Sequence, residues 1–301
     1  MNNSQKIIVI LGPTASGKSS TAIKLAQKFD GEIISVDSRQ IYRGMDIGSG
    51  KITKEEQEII PHWMLNIVSP KTNFSAAQFK KKTDKIIADI LRRGKLPILC
   101  GGTGFWIKAI VDDVIYPKVK PNWKLREELN KKDLGELLKE LKNLDTERVK
   151  TIDINNKVRL IRAIEICQTL GQVPVVQNKP ENKKYEFLQI GIKREKEILH
   201  KRIKLNVKKR FESGMIEEVE KLKESGLSWE KLESFGLSYK LIPQYLKGEI
   251  KTEEELLEKI YLAEKNYAKR QVTWFKKDPR IKWLENYKET EKEIINFLSN
   301  K

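Results

Sequence analysis

The apolar residues of this chain fall into runs of two kinds. Lys6-Ile-Ile-Val-Ile-Leu11 is continuous and β-branched and ends at Gly12 and Pro13; Ser19 to Phe29 then takes helical spacing through Ala22, Ile23, Leu25 and Ala26. That is strand, loop and helix. Glu32 to Val36 makes a second short run, Phe79 to Leu91 an amphipathic helix through Ile86, Ile87, Ile90 and Leu91, and Leu96 to Cys100 a third strand. Short strands that are apolar at every position and separated by helices imply a parallel sheet covered on both faces.

The pattern changes around Pro117. From Asn122 to Leu170 it is helical and rich in charge, closing at Gly171 and Pro174 ahead of a polar stretch, Gln177 to Lys184. Strand character returns over Tyr185 to Ile192, and Arg194 to Leu222 and Glu253 to Phe275 read as long amphipathic helices. The reading is an α/β fold: a core formed by 1–117 and 185–301, interrupted by an all-helical insertion domain at 118–184.

Composition narrows the class. In 301 residues, 39% are apolar and only 17 are Gly and 10 Pro, which excludes a disordered or fibrous chain. The polar start, Met1 to Lys6, does not make a signal peptide, and no stretch approaches the ~20 apolar residues of a membrane span. A soluble, cytoplasmic protein with no membrane partner is expected, and a monomer is the simpler expectation. Cys100 and Cys167 sit in apolar segments without metal-site spacing, so neither a disulfide framework nor a zinc site is indicated. With 59 Lys and Arg against 42 Asp and Glu, the net charge is +17. This fits an anionic partner, nucleic acid or phosphate. It fits a Lys-rich background equally well.

The chemistry begins between the first strand and the first helix. Gly12, Pro13, Thr14, Ala15, Ser16, Gly17, Lys18 and Ser19 satisfy G-x-x-x-x-G-K-[ST] without a gap. The glycines let backbone N–H groups turn inward around a phosphate, the helix N-terminus adds partial positive charge, Lys18 reaches the terminal phosphate, and Ser19 offers its hydroxyl to Mg²⁺. The fold is therefore expected to be P-loop NTPase-like, binding a di- or triphosphate. Asp37 ends the second apolar run, on the sheet edge where α/β folds bind ligands. It is open to three readings: a Mg²⁺ ligand, a general base or a helix N-cap.

Gly12 to Ser19, Asp37-Ser-Arg-Gln-Ile-Tyr-Arg-Gly-Met-Asp-Ile-Gly-Ser49, Pro61-His62, Gly101-Gly-Thr103, Arg159-Leu-Ile-Arg162-Ala-Ile-Glu165 and Lys269-Arg-Gln-Val-Thr-Trp-Phe275 occur in one order and spacing. In these segments the chain resembles the bacterial tRNA dimethylallyltransferases over nearly its whole length. The resemblance implies transfer of a dimethylallyl group from dimethylallyl diphosphate to N6 of adenosine 37, beside the anticodon, in tRNAs reading codons that begin with U. Mg²⁺ is the implied cofactor, and the anticodon stem-loop of tRNA the implied partner. Asp37 would be the base, Lys18 and the loop would hold the leaving diphosphate, and Thr103 would sit by the reacting groups and touch the tRNA. Asp37, Ser38, Arg39 and Gln40 would contact nucleotides around an extruded adenosine, and Arg126, Arg159 and Arg162 the tRNA outside the core. A solvated face is the plainer reading of those arginines, a positive-φ turn of Gly101-Gly102, and a helix cap of Thr103. Trp274 and Phe275 read as core.

The chain departs from the family in places. Asn206 stands where the family usually has an Arg thought to contact the diphosphate; Arg210, one turn further along that helix face, is the candidate replacement. Ser238 stands where Gly is common, Leu241 where an acid or amide is common, and Trp63 replaces a second His, leaving His62 a structural role. Two other classes compete: a phosphate-loop kinase acting on a small molecule, and a non-catalytic RNA-binding NTPase module.

Overall fold

The computed structural model describes residues 5–174 and 184–300; residues 177–183 of the polar stretch lie outside them. The chain divides into two compact units, Met1–Asp112 with Pro180–Lys301, and Asp113–Lys179.

The first unit opens with β1 (Gln5–Leu11), α1 (Lys18–Lys28), β2 (Gly31–Val36), α2 (Lys54–Ile59), β3 (His62–Trp63), α3 (Ala76–Arg92), β4 (Leu96–Gly101) and α4 (Gly104–Val111). The second contains α5 (Trp123–Asn130), α6 (Leu134–Leu144), α7 (Thr146–Thr151) and α8 (Lys157–Leu170). The first then resumes with β5 (Tyr185–Ile192), α9 (Lys196–Glu212), α10 (Met215–Glu224), α11 (Trp229–Ser234), α12 (Ser238–Leu246), α13 (Glu253–Phe275), β6 (Lys282–Leu284) and α14 (Tyr287–Ser299).

The strands form one six-stranded sheet, ordered β3-β2-β4-β1-β5-β6, with every pairing parallel. Alternation explains the unbroken apolar runs: Ile7, Val9 and Leu11 of β1 enter one core and Ile8 and Ile10 the other. Leu25 of α1 and Ile294 of α14 close the second core; Phe79, Ile107, Ile203 and Ile260 from α3, α4, α9 and α13 close the first. In register, Leu11 and Val36 both pair with Gly101, so β1, β2 and β4 end together. The order reverses here, since β1 pairs with β4 on one side and β5 on the other, which is where such sheets take ligands.

Two features differ from the sequence pattern. The segment 194–222 is not one helix: Ser213 closes α9 and Gly214, at φ 91°, turns the chain into α10, as glycine at a helix end does. The edge strands β3 and β6 are two and three residues long, too short to show periodicity. Among the described residues no helix is long and apolar enough to cross a membrane.

In the second unit, Asn122, Asp133, Asp145 and Asn156 cap the four helices through their side chains. Leu129, Leu137, Leu141, Leu160 and Ile164 form its core. Glu165, 1% exposed, accepts hydrogen bonds from Arg126 Nε at 2.9 Å, Arg126 Nη2 at 2.7 Å, the Asn122 N–H at 2.6 Å, and Arg162 Nη1. Burial pushes its carboxyl upward, but the bonds from Arg126, Asn122 and Arg162 prevail and lower it to about 2. Because the folded value lies below the ordinary 4.5, the stabilisation is complete above that value and is lost as pH falls towards 2. Glu165→Gln is expected to cost about 3 kcal/mol at pH 7 by leaving two guanidinium groups without their carboxylate. Amide exchange in α5 and α8 reads the loss at pH 7, and acid unfolding should show the wild-type advantage shrinking below pH 4.5.

Candidate functional site

The loop after β1 is shaped to leave N–H groups for an anion. Gly17 precedes α1 at φ 96° without a side-chain cap, and the first turn carries no acid, so the orphan donors of that turn remain available. A Cβ on Gly12 would lie 3.1 Å from Ser16 Oγ and 3.2 Å from the Ile192 carbonyl oxygen. Ser16 Oγ is buried with no hydrogen-bond partner. Lys18 Nζ donates to the Pro13 carbonyl at 3.3 Å; burial lowers its pKa against the opposing charges of Cys100 and Asp37. Burial in turn raises the Cys100 thiol to about 11. The outward carbonyls of the loop are held by two arginines: Arg202 Nε donates to Ala15 O at 2.8 Å and Arg194 Nε to Ser16 O at 3.1 Å.

At the end of β2, Asp37 Oδ1 accepts from the Arg39 N–H at 2.8 Å and the Gln40 N–H at 3.3 Å. One oxygen therefore forms an Asx turn, while Oδ2 has no hydrogen bond among the described residues and Asp37 lines the cavity. Ser38 N–H donates to Thr103 Oγ1 at 3.1 Å. Thr103 precedes α4, but its side chain does not cap it. Neither Gly101 nor Gly102 has a positive φ, so the positive-φ expectation fails and close approach replaces it. A Cβ on Gly101 would fall 2.1 Å from Val36 O, and one on Gly102 2.1 Å from Gln271 Nε2. Gln271, 6% exposed, accepts from the Thr14 N–H at 2.8 Å and donates to Gly102 O at 2.9 Å, joining the phosphate loop to the glycine turn.

Residues 38–51 form the opposite wall. Arg39 Nε donates to Phe235 O at 2.6 Å and its guanidinium lies over Tyr267. Gln40 bonds Ser35 Oγ and Gly50 O. The buried Glu218 accepts N–H groups from Asp46, Ile47 and Gly48 and the hydroxyl of Tyr239. Lys51 donates to Tyr42 O, Asp46 and Asn66. One departing residue, Ser238, and the candidate replacement Arg210 meet at one atom, since Ser238 Oγ at 3.1 Å and Arg210 Nη1 at 3.0 Å both donate to Gly48 O. Arg210 is also paired with the buried Glu264. It lines the cavity, but its charge is already answered, which argues against it as the free cation expected of a diphosphate contact.

These walls enclose a cavity of about 440 Å³ that brings together Thr14, Ala15, Gly17, Lys18, Ser19, Asp37, Arg39, Gln40, Arg202, Asn206, Arg210, Tyr267 and Gln271. Pro13, Ser38 and Thr103 adjoin it through the bonds described. Arg126, Arg159 and Arg162 belong to the second unit. Arg126 and Arg162 are bonded to Glu165, so neither presents a simple solvated face; Arg159 is exposed, 3.5 Å from Asp153. Phe275 is core, but Trp274 is 41% exposed, against expectation, with Cδ1 2.3 Å from where Gly104 would carry a Cβ. His62 Nδ1 contacts Ile60 O at 2.7 Å, and Trp63 bonds Glu32. The sequence pattern assigned no role to Arg194, Arg202, Gln271 or Glu218. Arg202 carried a signal, one turn before Asn206 on the same helix, as did Gln271, inside the matched segment 269–275.

A family model for IPP transferases matches residues 40–278. The tRNA dimethylallyltransferase of Thermoanaerobacter sp. strain X514 is 40% identical, with 98% of each chain covered. That of Halothermothrix orenii is 41% identical over 92% of this chain and 87% of its own. Among solved structures, the tRNA isopentenylpyrophosphate transferase of Bacillus halodurans is 34% identical at a TM-score of 0.73, covering 98% of this chain and 96% of that one. A eukaryotic dimethylallyltransferase acting on tRNA is 27% identical at 0.77, covering 94% and 74%. By these matches the chain, whose phosphate loop, Asp37 turn and Gly-Gly-Thr turn leave one sheet edge, belongs to the IPP transferase family, the tRNA dimethylallyltransferases.

Proposed function

We propose that the protein transfers the dimethylallyl group of dimethylallyl diphosphate to N6 of adenosine 37 in tRNAs reading codons that begin with U. The observation that carries the reading is one cavity lined both by an uncapped phosphate loop and by Asp37, whose Oδ2 has no hydrogen bond among the described residues. The allylic C–O bond breaks, the N6–C bond forms, the amine proton passes to Asp37 and diphosphate leaves. Negative charge grows on the leaving group, where loop N–H groups and the partly desolvated Lys18 meet it without reorganising. The Asx turn holds Oδ1, which aims Oδ2. Thr103 fixes the Asp37 turn through Ser38, and Ser38, Arg39 and Gln40 form the wall against which the extruded adenosine and its neighbours would lie.

Magnesium fits these residues. The donor is a hard oxygen, the Ser19 hydroxyl, and among the described residues no cluster of three acidic, His or Cys side chains gathers. Mg²⁺ favours such a setting, taking its other ligands from substrate phosphates and water. Ser19 would hold the ion, which would neutralise charge on the diphosphate.

For the tRNA outside the cavity, the second unit offers Arg159 and the Arg126–Glu165–Arg162 cluster. That cluster retains one net positive charge, and its arginines would meet phosphates while also holding α5 to α8.

Incubation with dimethylallyl diphosphate and unmodified tRNA is expected to yield N6-isopentenyladenosine on nucleoside digestion. ATP turnover without that product would instead indicate a kinase or an NTPase module. Asp37→Asn keeps an oxygen for the Asx turn but cannot accept the proton. It should lower turnover by ~10²–10⁴ with tRNA affinity and stability near wild type, whereas Asp37→Ala should lose about a further 1 kcal/mol of stability. Equal activity in Asp37→Asn and wild type would reject the base. Arg159→Ala should reduce the slope of log affinity for tRNA against log salt by about one, read by titrations at several salt concentrations.

A further inference from the structure

We propose that Arg202, seconded by Arg194, clamps the phosphate loop from outside and supplies the diphosphate site with its cation from beyond the loop. The proposal rests on the transferase reading only for naming the anion. On α9, Arg202, Asn206, Lys209 and Arg210 reach the cavity, at spacings that share a helix face. They are not equivalent. Asn206 is neutral. Arg210 is fixed to Glu264 and Gly48 O, and moving it to an anion would strand a carboxylate that is 4% exposed. Lys209 is exposed, as Arg202 is, but its ammonium makes no hydrogen bond among the described residues to hold it against the loop.

Arg202 differs in how its nitrogens are used. Its Nε donates to a neutral group, the Ala15 carbonyl, at 2.8 Å, and no carboxylate pairs with it among the described residues, so its charge is uncompensated. Its Nη2 lies 3.6 Å from where Gly17 would carry a Cβ, and Arg194 Nη2 3.8 Å from the same point. Two guanidinium groups therefore flank the glycine at the head of α1. The remaining Nη donors of Arg202 are left for an anion. The Nε bonds also order the loop. Ala15 sits at φ 62° without being glycine, a conformation that persists only where its surroundings hold it, and Arg202 holds its carbonyl. Arg194 holds the Ser16 carbonyl, and because a trans peptide sets C=O and N–H on opposite sides, the Gly17 N–H points the other way, to the loop's concave side. The charged donor on the Ser16 carbonyl polarises that peptide and strengthens the Gly17 N–H, whereas on the peptide held by Arg202 the Ser16 N–H donates to the Pro13 carbonyl at 3.2 Å, so there the bond orders the turn. Arg202 is thus a positioning residue through its Nε and a counter-charge through its Nη groups.

The test is binding of inorganic pyrophosphate with Mg²⁺, by calorimetry and without tRNA, so the result bears on Arg202 whether or not transfer occurs. Arg202→Gln should weaken pyrophosphate roughly tenfold or more and raise KM for dimethylallyl diphosphate, with tRNA affinity and thermal midpoint held. Arg202→Lys should fall between Arg202→Gln and wild type. Lys208→Gln, which removes an exposed charge from the same helix outside the cavity, should stay within about twofold for pyrophosphate. Adding Asn206→Arg to Arg202→Gln should recover most of the loss, which no general damage to the fold would permit. Wild-type pyrophosphate affinity in Arg202→Gln, an equal loss in Lys208→Gln, or no recovery in the double variant would each overturn the proposal.

Discussion

Three strands end at one glycine. Gly101 pairs in register with Leu11 and with Val36, and a side chain there would run into the Val36 carbonyl. Because the backbones come this close, the phosphate loop leaving β1, Asp37 leaving β2 and Thr103 leaving β4 start from neighbouring points on one edge. The Ser38–Thr103 bond and the Gln271 bridge then join turns that are already adjacent. Rigid strands fix the three origins far more tightly than loops of this length would alone.

A second constraint works on residues 38–51, which have almost no regular structure of their own and yet must form a wall. Much of their hydrogen bonding is supplied from outside. Glu218 takes three consecutive N–H groups and the Gly48 carbonyl receives both Arg210 and Ser238, while Lys51, within the segment, ties back to the Tyr42 carbonyl. Burying Glu218 is tolerable because four donors answer it. The break between α9 and α10 belongs to the same arrangement: Glu218 lies in the first turn after Gly214, which an unbroken helix would carry elsewhere.

What the sequence disclosed and what it withheld follow the range of the interactions. The strand–loop–helix around Gly12 to Ser19 is local in chain and in space, so its pattern and meaning coincide. The apolar runs of β1, β2 and β4 announced a two-sided sheet because both faces are buried, whereas β3 and β6 are too short to announce anything. Ser213-Gly214 is a helix-stop signal, overridden in the reading by the amphipathic spacing on either side of it. Partnerships over long separations stayed hidden: Arg210 with Glu264, Gln271 with Thr14, Arg126 with Glu165. Helix spacing put Arg202 and Arg210 one turn either side of Asn206, and nothing local says that Arg210 will meet a buried carboxylate while Arg202 meets a carbonyl. Trp274 shows the same limit, since an aromatic at a helix end reads as core until its neighbours are known.

The charge of the chain takes a more definite meaning from these pairings. Around the cavity, Glu264 is matched by Arg210, Glu218 by backbone N–H groups and a tyrosine hydroxyl, and one oxygen of Asp37 by its own turn. Lys18 and Arg202 have only carbonyls as hydrogen-bond partners. A surplus of +17 spread over a surface would be screened within about 10 Å at ordinary ionic strength and would discriminate little between polyanions. Cations that no carboxylate pairs among the described residues, beside an uncapped helix end in a cleft, are screened less. On the proposed reading such a site suits an anion small and dense enough to enter, and Asp37 Oδ2, which has no hydrogen bond among the described residues, would receive the proton released during reaction.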